Sequence, residues 1–344
     1  MKEKISLNNK TILITGACGF IGYHLSNRLL KDCEDINLIG LDNMMDNNDL
    51  SLKEFRLEKL KKFSNFILKK ESISDKEKIN EVFQEYKPHI VINLAGKSSI
   101  RDSIDNPDSY IEANVLGFYN VLEACRQHNV EHLIYASSSS IYDGNTKVPF
   151  SIGDKTDTPG SLYSASKKSN ELFAYCYSKL YGLATTGLRF FTVYGPLGRP
   201  DMAYFKFTNM MIKGETIKIY NYGNCKRNFT YIDDIVEGII RVVTSKPYKE
   251  SNMIPYSIYN ISSSKPDSLL DFVTTLEEEL VKAEVLPSDY DFDSHKELVP
   301  MQAGDTAITY ADVSDLERDF GYKPNTSLRK GLREFAKWYK NYYK

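Results

Sequence analysis

Residues 11–22 read TILITGACGFIG, an apolar run that leads into three glycines, and this stretch decides the fold. Gly16 follows the apolar run directly, and Gly19 and Gly22 follow it at intervals of three residues. In a strand–turn–helix unit the first glycine allows a tight turn, the second lets backbone amides approach a pyrophosphate, and the third lets helix and strand pack closely. The helix N-terminus then favours anionic phosphates. The stretch predicts a dinucleotide-binding loop, with a purely structural turn as the alternative.

A carboxylate stands where the second strand of such a unit should end. Asp42 closes the run INLIGLD and lies 26 residues after Gly16. A carboxylate at that position can accept hydrogen bonds from the adenosine ribose hydroxyls and would repel a 2′-phosphate. Asp42 therefore favours NAD over NADP as the cofactor. The alternative interpretation is a turn residue at the end of a strand.

Short apolar runs alternate with helical periodicity through the first half of the chain. Such alternation is typical of right-handed crossovers, and hence of a parallel sheet covered by helices on both faces. We predict an α/β fold, with a Rossmann-type doubly wound parallel sheet in residues 1–194 and a smaller mixed α/β C-terminal lobe, mainly residues 195–344, that binds substrate at the carboxyl edge of the sheet. The predicted strands are 11–15, 36–42, 65–69, 90–95, 132–137 and 184–191, and the predicted helices are 20–31, 51–62, 76–86, 110–128, 163–181, 232–245, 268–283 and 327–339.

The composition excludes several classes of protein. Of the 344 residues, 42% are hydrophobic, and 44 Lys and Arg stand against 46 Asp and Glu. This balance is globular and favours neither nucleic acid nor an anionic membrane as a partner. The five cysteines are scattered without a Cys-x-x-Cys or Cys/His cluster, so we expect no metal site. No stretch reaches the roughly 18 apolar residues of a membrane span, and no signal-peptide core precedes the first strand, so we expect a cytoplasmic protein.

The motif YSASK places Tyr163 and Lys167 four residues apart on one face of a predicted helix. A free tyrosine has a pKa of about 10, so it acts as a base near neutral pH only with help. An adjacent ammonium and the positive nicotinamide ring of NAD would stabilise the phenolate while hydride leaves an alcohol carbon. Such a pair is common by chance, but the nucleotide motif and the hydroxyl-rich run 137–140 favour a catalytic role here.

Six segments together resemble the extended short-chain dehydrogenase/reductase family, and within it the UDP-glucuronate 4-epimerase branch. The resemblance covers nearly the whole chain, and the serine run and residues 189–203 are what specify the branch. The segments are TGACGFIG (15–22), SSSSIY (137–142), YSASK (163–167), RFFTVYGPLGRPDMA (189–203), RNFTYIDDIVEGI (227–239) and QAGDTAITYADVSDLERDFGYKP (302–324).

The resemblance implies an NAD-dependent isomerase that converts UDP-glucuronate to UDP-galacturonate through a transient 4-keto sugar, for polysaccharide biosynthesis. Tyr163 is then the catalytic base, Lys167 lowers the pKa of Tyr163 and holds the nicotinamide ribose, and Ser138 hydrogen-bonds the reacting hydroxyl. The family pattern assigns cofactor contacts to Gly16, Gly19, Phe20, Ile21, Gly22, Asp42, Asn43, Ser72, Ile73, Leu94, Ala95, Lys97, Asn114, Tyr163 and Lys167.

The sugar carboxylate needs its own binding groups. A 4-keto-uronate is a β-keto acid, which loses CO₂ when its carboxylate bond stands perpendicular to the ketone plane, so an epimerase must hold the carboxylate out of that alignment. Arginine suits this task because its planar fork donates two parallel hydrogen bonds. For Arg199 of this chain, a surface ion pair is the alternative interpretation. The resemblance assigns the carboxylate to Ser139, Ser140, Thr192 and Arg199, the UDP phosphates to Arg227 and the uridine ribose to Asp305.

The residues directly after Ser138 separate this prediction from related activities. Related 4,6-dehydratases carry an Asp-Glu pair there and decarboxylating relatives usually carry a glutamate, whereas this chain has Ser139 and Ser140. Three alternatives stay open: a 4-epimerase of another UDP-hexose or UDP-N-acetylhexosamine, a nucleotide-sugar decarboxylase or 4-oxidase, and a regulatory NAD-binding protein with an inactive site.

Several positions depart from the family pattern. Ser72 stands where an aspartate usually reads the adenine amino group, Lys97 where glutamine is common, and Asp102 where an aromatic residue is usual. Asp143 replaces a glycine, which would strain the backbone if that position required a positive φ. Asn228 replaces an aspartate. These departures put the identity of the sugar in question more than the type of reaction.

The family habit and apolar positions on two long predicted helices indicate a homodimer that pairs these helices between subunits. The positions are Val115, Phe118 and Leu122 on the first helix and Leu172 and Cys176 on the second.

Overall fold

A computed structural model describes residues 2–45, 50–247, 253–301 and 308–344 of the chain. Its centre is a sheet of seven strands in the order β3-β2-β1-β4-β5-β6-β7, and every neighbouring pair is parallel. These strands, numbered in chain order, are β1 (Thr11–Thr15), β2 (Asn37–Leu41), β3 (Phe66–Lys69), β4 (Ile90–Asn93), β5 (His132–Ser138), β6 (Thr185–Phe190) and β7 (Tyr256–Ile261).

The doubly wound parallel sheet confirms the predicted fold class, and all six predicted strands lie in it. The strand order runs outward from β1 in both directions, so the switch point lies between β1 and β4. Ligands of such sheets bind outside the carboxyl ends of the strands at that point. There Thr15 pairs in register with both Leu41 and Asn93, and its hydroxyl donates to the Asn93 side chain at 2.7 Å.

Helices cover both faces of the sheet. The predicted helix 110–128 is divided, because Ile111–Leu116 adopts a π-helical turn before the α-helix Gly117–Gln127 begins. Within the described ranges, no helix is long and apolar enough to cross a membrane. The other α-helices are Phe20–Asp32, Leu50–Leu60, Lys76–Tyr86, Asp102–Asp105, Pro107–Tyr110, Leu162–Tyr181, Ala203–Ile212, Ile232–Val243, Leu269–Lys282, Ser314–Phe320 and Leu328–Tyr343, and short 3-10 turns lie at Ser139–Tyr142, Tyr220–Gly223 and Asp293–His295.

In the described part of the chain, four small two-stranded pairings lie outside the central sheet, and each uses at least one strand from the C-terminal half. The C-terminal half also returns to the central sheet, because β7 pairs with β6 along its whole length. The helix Ile232–Val243 packs on Phe20–Asp32 and is linked to it by an Arg28–Glu237 ion pair at 3.4 Å. The division at residue 194 stays a prediction. The small pairings are Lys2–Lys4 with Ser245–Pro247, Thr192–Tyr194 with Phe229–Tyr231, Lys226–Arg227 with Asp267–Ser268, and Ile217–Ile219 with Lys296–Leu298.

The predicted dimer face needs a correction. Phe118 and Leu122 are buried in the core beside the sheet and have no surface to offer a second subunit. They point inward because the face of their helix that packs on the sheet is the apolar one. Leu172 and Cys176 are exposed as predicted, and Val115 is half-buried.

Candidate active site

Glycines shape the loop after β1. Gly16 has a φ of +71°, and a Cβ there would lie 2.9 Å from the backbone nitrogen of Ala95. A Cβ on Gly22 would lie 2.0 Å from the carbonyl oxygen of Gly16, so helix and loop meet backbone to backbone. Gly19 is the N-cap of Phe20–Asp32, and within the described part of the chain no side chain caps that helix end. The first-turn amides therefore face a position that fits a dinucleotide pyrophosphate.

Asp42 follows β2 directly and contacts this loop. Its carboxylate is buried and accepts hydrogen bonds from the amides of Cys18 at 3.0 Å and Met44 at 2.9 Å. Lys53 also reaches it, with Nζ 3.1 Å from Oδ1. Asp42 thus lies at the strand end predicted for the ribose-binding carboxylate, and the backbone and Lys53 fix its orientation. Lys53 was not predicted.

Three further predicted cofactor residues, Asn43, Ser72 and Ile73, make contacts within their own turns or with Asn120. The side chain of Asn43 accepts from the amide of Met45 at 3.2 Å, and Ser72 accepts from the amide of Ser74 at 3.2 Å. Ile73 is buried, and its carbonyl accepts from Asn120 at 3.0 Å. Phe20 is buried and Ile21 half-buried in the first turn of the helix that follows the loop.

Asn114 ties the segment after β4 to the helix Leu162–Tyr181. Its Oδ1 accepts from the amide of Lys97 at 2.8 Å, and its Nδ2 donates to the carbonyl of Lys97 and to Ser166 Oγ, each at 3.0 Å. The preceding residues are fixed to β1, since the amides of Leu94 and Ala95 donate to Thr15. Asn114 therefore sets the distance between the predicted cofactor loop and the predicted catalytic helix.

The two departures at Lys97 and Asp102 compensate each other. The Lys97 ammonium donates to Ser109 at 2.8 Å, lies 3.6 Å from the Asp102 carboxylate and sits 5.5 Å from the ring centre of Tyr110. Tyr110 in turn meets the ring of Tyr163 edge-on. The pair stabilises the short helices beside the site.

Tyr163 and Lys167 lie on one buried face of Leu162–Tyr181, whose first turn Ser161 caps by accepting from the amide of Ser164. Burial raises the pKa of Tyr163, while a hydrogen bond with Ser138 and the positive charge of Arg199 act in the opposite direction. Burial lowers the pKa of Lys167 to about 8. Its Nζ donates to the carbonyl of Ala136 on β5 at 3.2 Å.

Ser138 lies at the end of β5, where a 3-10 turn begins. Its hydroxyl oxygen accepts from the amide of Ser140 at 3.2 Å and from the Ser140 hydroxyl at 2.9 Å. Because both lone-pair directions are used, the Ser138 proton is left to donate toward Tyr163 or toward a ligand. Ser139 is half-buried beside it, and Thr192 is half-buried at the start of the strand that pairs with Phe229–Tyr231.

Arg199 is half-buried, and its positive charge lowers the pKa of Tyr163. Its Nε and Nη2 donate to the two carboxylate oxygens of Asp201, at 3.0 and 2.5 Å, and its Nη1 donates to Ser98 Oγ. Asp201 and Ser98 were not predicted. The Asp201 contact holds one edge of the guanidinium and leaves the opposite corner facing a neutral hydroxyl.

The structure describes one of the two residues predicted to bind the UDP. Arg227 lies opposite Asp267 in the register of two short strands, and its Nη1 donates to the carbonyl of Lys226. Asp305 lies outside the described residues. Asn228 is buried, donates to the carbonyl of Ser263 at 3.0 Å and accepts from the amide of Ala311 at 2.8 Å. An aspartate could not make both contacts, which accounts for that departure from the family pattern.

Asp143 does not strain the backbone, although it replaces a glycine of the family pattern. Its φ is −52°, an ordinary value, and the positive φ of +82° falls on the next residue, Gly144. The Asp143 side chain accepts from the amide of Gly144 at 3.0 Å, which closes the turn.

The half-buried His24 and the buried Arg56 were also missed in the sequence analysis. His24 and Arg56 contact the segment that precedes Arg199. The spacing of Arg56 from Leu52 and Leu60 on one helix could have indicated an inward-facing position, since residues four apart share a face.

The family described as GDP-mannose 4,6 dehydratase matches residues 13–335 of the chain. Protein CapI of Staphylococcus aureus is 46% identical over 97% of this chain and 99% of its own length. UDP-glucuronate 4-epimerase 4 of Arabidopsis thaliana is 42% identical over 98% of this chain and 76% of its own length. Among solved structures, the UDP-glucuronic acid 4-epimerase of Bacillus cereus in complex with UDP-glucuronic acid and NAD matches with a TM-score of 0.84 at 29% identity, covering 97% of this chain and 100% of that one.

Proposed function

The chain belongs to the family described as GDP-mannose 4,6 dehydratase, alongside the UDP-glucuronate 4-epimerases that it resembles, and we propose that it interconverts UDP-glucuronate and UDP-galacturonate with NAD as a bound cofactor. The observation that carries the proposal is the buried Tyr163–Ser138 pair at the end of β5, with the half-buried Arg199 near enough for its charge to lower the pKa of Tyr163. A base and a carboxylate-binding cation are thereby brought to one substrate.

The residues that would hold NAD are the glycine loop 16–22 for the pyrophosphate, Asp42 for the adenosine ribose, and Lys167 for the nicotinamide ribose. The tight backbone packing at Gly16 and Gly22, where a Cβ would clash, supports this assignment. When bound, NAD supplies a reversible hydride acceptor for C4 of the sugar.

Tyr163 takes the proton of the sugar 4-hydroxyl as that carbon is oxidised, and Ser138 donates to the same oxygen. The hydrogen bond from Ser138 and the charge of Arg199 favour the phenolate form, since both lower the pKa of Tyr163. The 4-keto sugar then rotates in the site, so that C4 is reduced on its opposite face. Tyr163 returns the proton to the C4 oxygen. The burial of Tyr163, Ser138 and Lys167 excludes water while the ketone exists.

Arg199 keeps the carboxylate of the 4-keto sugar from leaving as CO₂. Decarboxylation would break the C5–C6 bond and move its electron pair toward the C4 ketone, which requires that bond to stand perpendicular to the ketone plane. A guanidinium that donates to the carboxylate oxygens holds the group in another orientation. Ser139 and Thr192 are the hydroxyl groups proposed to complete this contact, since the Ser140 hydroxyl donates its proton to Ser138. Arg227 and the segment containing Asp305 would bind the UDP.

Neither a dehydratase nor a decarboxylase fits this pocket as well. Both activities in related proteins use a carboxylic side chain just after the Ser138 position, and Ser139 and Ser140 stand there. A serine hydroxyl cannot serve as the acid and base that elimination of water needs at neutral pH.

We further propose that two subunits associate through the outer face of the helices around residues 111–119 and 172–181. Exposed apolar side chains on this face support the proposal, since contiguous apolar surface marks interaction sites. A monomeric mass by light scattering at micromolar concentration would contradict it. We also propose that the protein is cytoplasmic and serves polysaccharide synthesis. The exposed side chains are Ile111, Leu116, Tyr119, Leu172, Phe173, Tyr175, Leu180 and Tyr181.

The proposed reaction is tested by following purified protein and UDP-glucuronate by NMR with no added cofactor. UDP-galacturonate appearing without CO₂ is the expected result. Conversion of UDP-glucose or UDP-N-acetylglucosamine in place of UDP-glucuronate would move the activity to a neutral sugar, and CO₂ with reduced cofactor would identify a decarboxylase.

A further inference from the structure

The segment Pro196–Gly198, directly before Arg199, has a backbone that local sequence does not favour. Gly195 has a φ of +148°, and Leu197 adopts the left-handed region with a φ of +52°. A branched residue in that region costs free energy and persists only where surrounding contacts hold it. The conformation of the segment that carries Arg199 therefore depends on contacts from elsewhere in the chain.

Two side chains from the N-terminal half supply those contacts. His24 Nε2 lies 2.9 Å from the carbonyl oxygen of Pro196. Arg56 Nη2 donates to the carbonyl oxygens of Leu197 at 2.7 Å and Gly198 at 3.0 Å. Three successive carbonyls are thus held by residues of the first two helices.

His24 acts as a donor in this contact. A carbonyl oxygen can only accept, so Nε2 must carry the proton. Burial lowers the pKa of His24 to about 4, which keeps the ring neutral near pH 7. The imidazole packs edge-on against Phe20 and Tyr23. Its position is consequently fixed by the helix that follows the glycine loop.

Arg56 also reaches the glycine loop itself. Its Nη1 donates to the carbonyl oxygen of Cys18 at 3.0 Å, and the amide of the same residue donates to Asp42 at 3.0 Å. The Arg56 side chain is 4% exposed. One buried guanidinium therefore binds the predicted pyrophosphate loop on one side and the segment leading to Arg199 on the other.

We propose that Arg56, supported by His24, is a positioning residue that sets the orientation of Arg199 and couples it to the shape of the cofactor loop. This inference rests on the proposed function, because it assigns Arg56 a part in keeping the 4-keto sugar from losing CO₂. Arg56 itself touches neither sugar nor reacting atoms. Its effect passes through the backbone of Leu197 and Gly198, whose carbonyls it holds.

The test compares the ratio of CO₂ to UDP-galacturonate formed from UDP-glucuronate. Arg56→Met removes the hydrogen bonds to the carbonyls of residues 18, 197 and 198 with a side chain of similar length, and Arg56→Lys keeps the charge but not the fork. We expect the ratio to rise about tenfold in Arg56→Met, less than the roughly 100-fold effect that a misplacement of about 1 Å can have, because Arg56 acts on Arg199 only through the backbone, and to rise less in Arg56→Lys. Lys59→Met is the matched control, since Lys59 lies exposed on the same helix. It should leave the ratio unchanged.

His24 gives a second, independent pair of variants in case Arg56→Met does not fold. His24→Phe keeps a ring but loses the donor, and His24→Gln keeps a donor. A higher ratio in His24→Phe with recovery in His24→Gln is expected. A ratio equal to wild type in every folded variant would overturn the proposal, because a role in stability alone lowers the amount of active protein without changing how each turnover ends.

Hydrogen exchange separates this inference from the proposed function. The amides of Leu197, Gly198 and Arg199 should exchange about tenfold faster in Arg56→Met than in wild type or Lys59→Met, since local opening governs exchange. If wild type does not act on UDP-glucuronate, the proposed function fails while this result still decides whether Arg56 holds the segment. Unchanged exchange in Arg56→Met and His24→Phe would overturn the positioning role even where epimerisation is observed.

Discussion

The carboxylate of Asp201 holds the guanidinium of Arg199 through two parallel hydrogen bonds, Nε to Oδ1 at 3.0 Å and Nη2 to Oδ2 at 2.5 Å. This contact uses one edge of the guanidinium. At the opposite corner, Nη1 donates to Ser98 Oγ. A substrate carboxylate can replace the neutral serine more easily than the charged partner, because a charge-assisted bidentate pair is the stronger contact. Asp201 thus orients Arg199 and leaves its other edge for the sugar.

Asp201→Asn should therefore loosen Arg199 without removing its charge. We expect kcat/KM for UDP-glucuronate to fall about 3- to 10-fold, the effect of one weakened charge-assisted hydrogen bond, and the CO₂ share of products to rise. Steady-state kinetics with product analysis measures both. Ser98→Ala is the control, since it removes only the hydroxyl that substrate displaces. A higher kcat/KM in Asp201→Asn would mean that Asp201 competes with substrate instead of orienting Arg199.

Tyr163→Phe removes the proposed base and keeps the ring that meets Tyr110. We expect turnover to fall at least about 100-fold, as is usual when a general base is lost, with bound NAD retained. HPLC of the denatured variant measures the NAD content. Substantial turnover in a variant that still holds NAD would transfer the role of base to another group.

Ser138→Ala and Ser140→Ala should lower kcat by different amounts, although the two hydroxyl groups are in contact. Ser138 is expected to donate to the reacting oxygen, so its loss should lower kcat about 10- to 100-fold. Ser140 orients Ser138 through a single hydroxyl contact at 2.9 Å, so its loss should cost only about 2- to 5-fold. Rate measurements at saturating substrate decide the matter. Equal losses in the two variants would contradict these separate roles.

Lys167 should make the protein less stable at neutral pH than a variant without its charge. Burial lowers its pKa from 10.5 to about 8, so between these values the unfolded chain binds more protons than the folded one. The contribution of Lys167 to the free energy of unfolding therefore rises with pH between these two values. Its full destabilising effect is present below about pH 8. Since one pKa unit corresponds to about 1.4 kcal/mol, the free energy of unfolding of Lys167→Met should exceed that of wild type by about 1–3 kcal/mol at pH 7. The loss of the hydrogen bond to Ala136 reduces this gain.

Denaturant unfolding of wild type and Lys167→Met at pH 7 and above pH 10 measures this difference directly. The gain should shrink toward zero at the higher pH, where both chains lack the charge. Titration of other lysines and tyrosines affects both proteins and cancels in the comparison. A variant that is less stable than wild type at pH 7 would show that the ammonium is stabilised in the fold.

Sequence reasoning recovers those parts of the molecule whose causes are local. The glycines of residues 16–22, the carboxylate at Asp42 and the Tyr163–Lys167 pair lie at strand and helix ends that apolar periodicity predicts. Their neighbours in space follow from the rule that parallel strands end at one edge. The structure places Tyr163, Ser138 and Arg199 together although they come from three distant segments.

Other features depend on long-range contacts that no local pattern carries. β7 is a short run in a polar region and becomes a strand because it pairs with β6. The inward position of Phe118 and Leu122 depends on which helix face meets the sheet. The pairing of Arg199 with Asp201 could have been predicted, since only Pro200 separates them, but the segment held by His24 and Arg56 requires the folded chain.

Incubation with UDP-glucuronate that carries deuterium at C4 tests the central claim most directly. The account predicts UDP-galacturonate that keeps the deuterium at C4, because the hydride leaves and returns without meeting water in a buried pocket. NMR and mass spectrometry of the nucleotide sugar measure the label. Product that has exchanged its C4 deuterium for solvent hydrogen, or no inversion at C4 by protein containing NAD, would contradict the account.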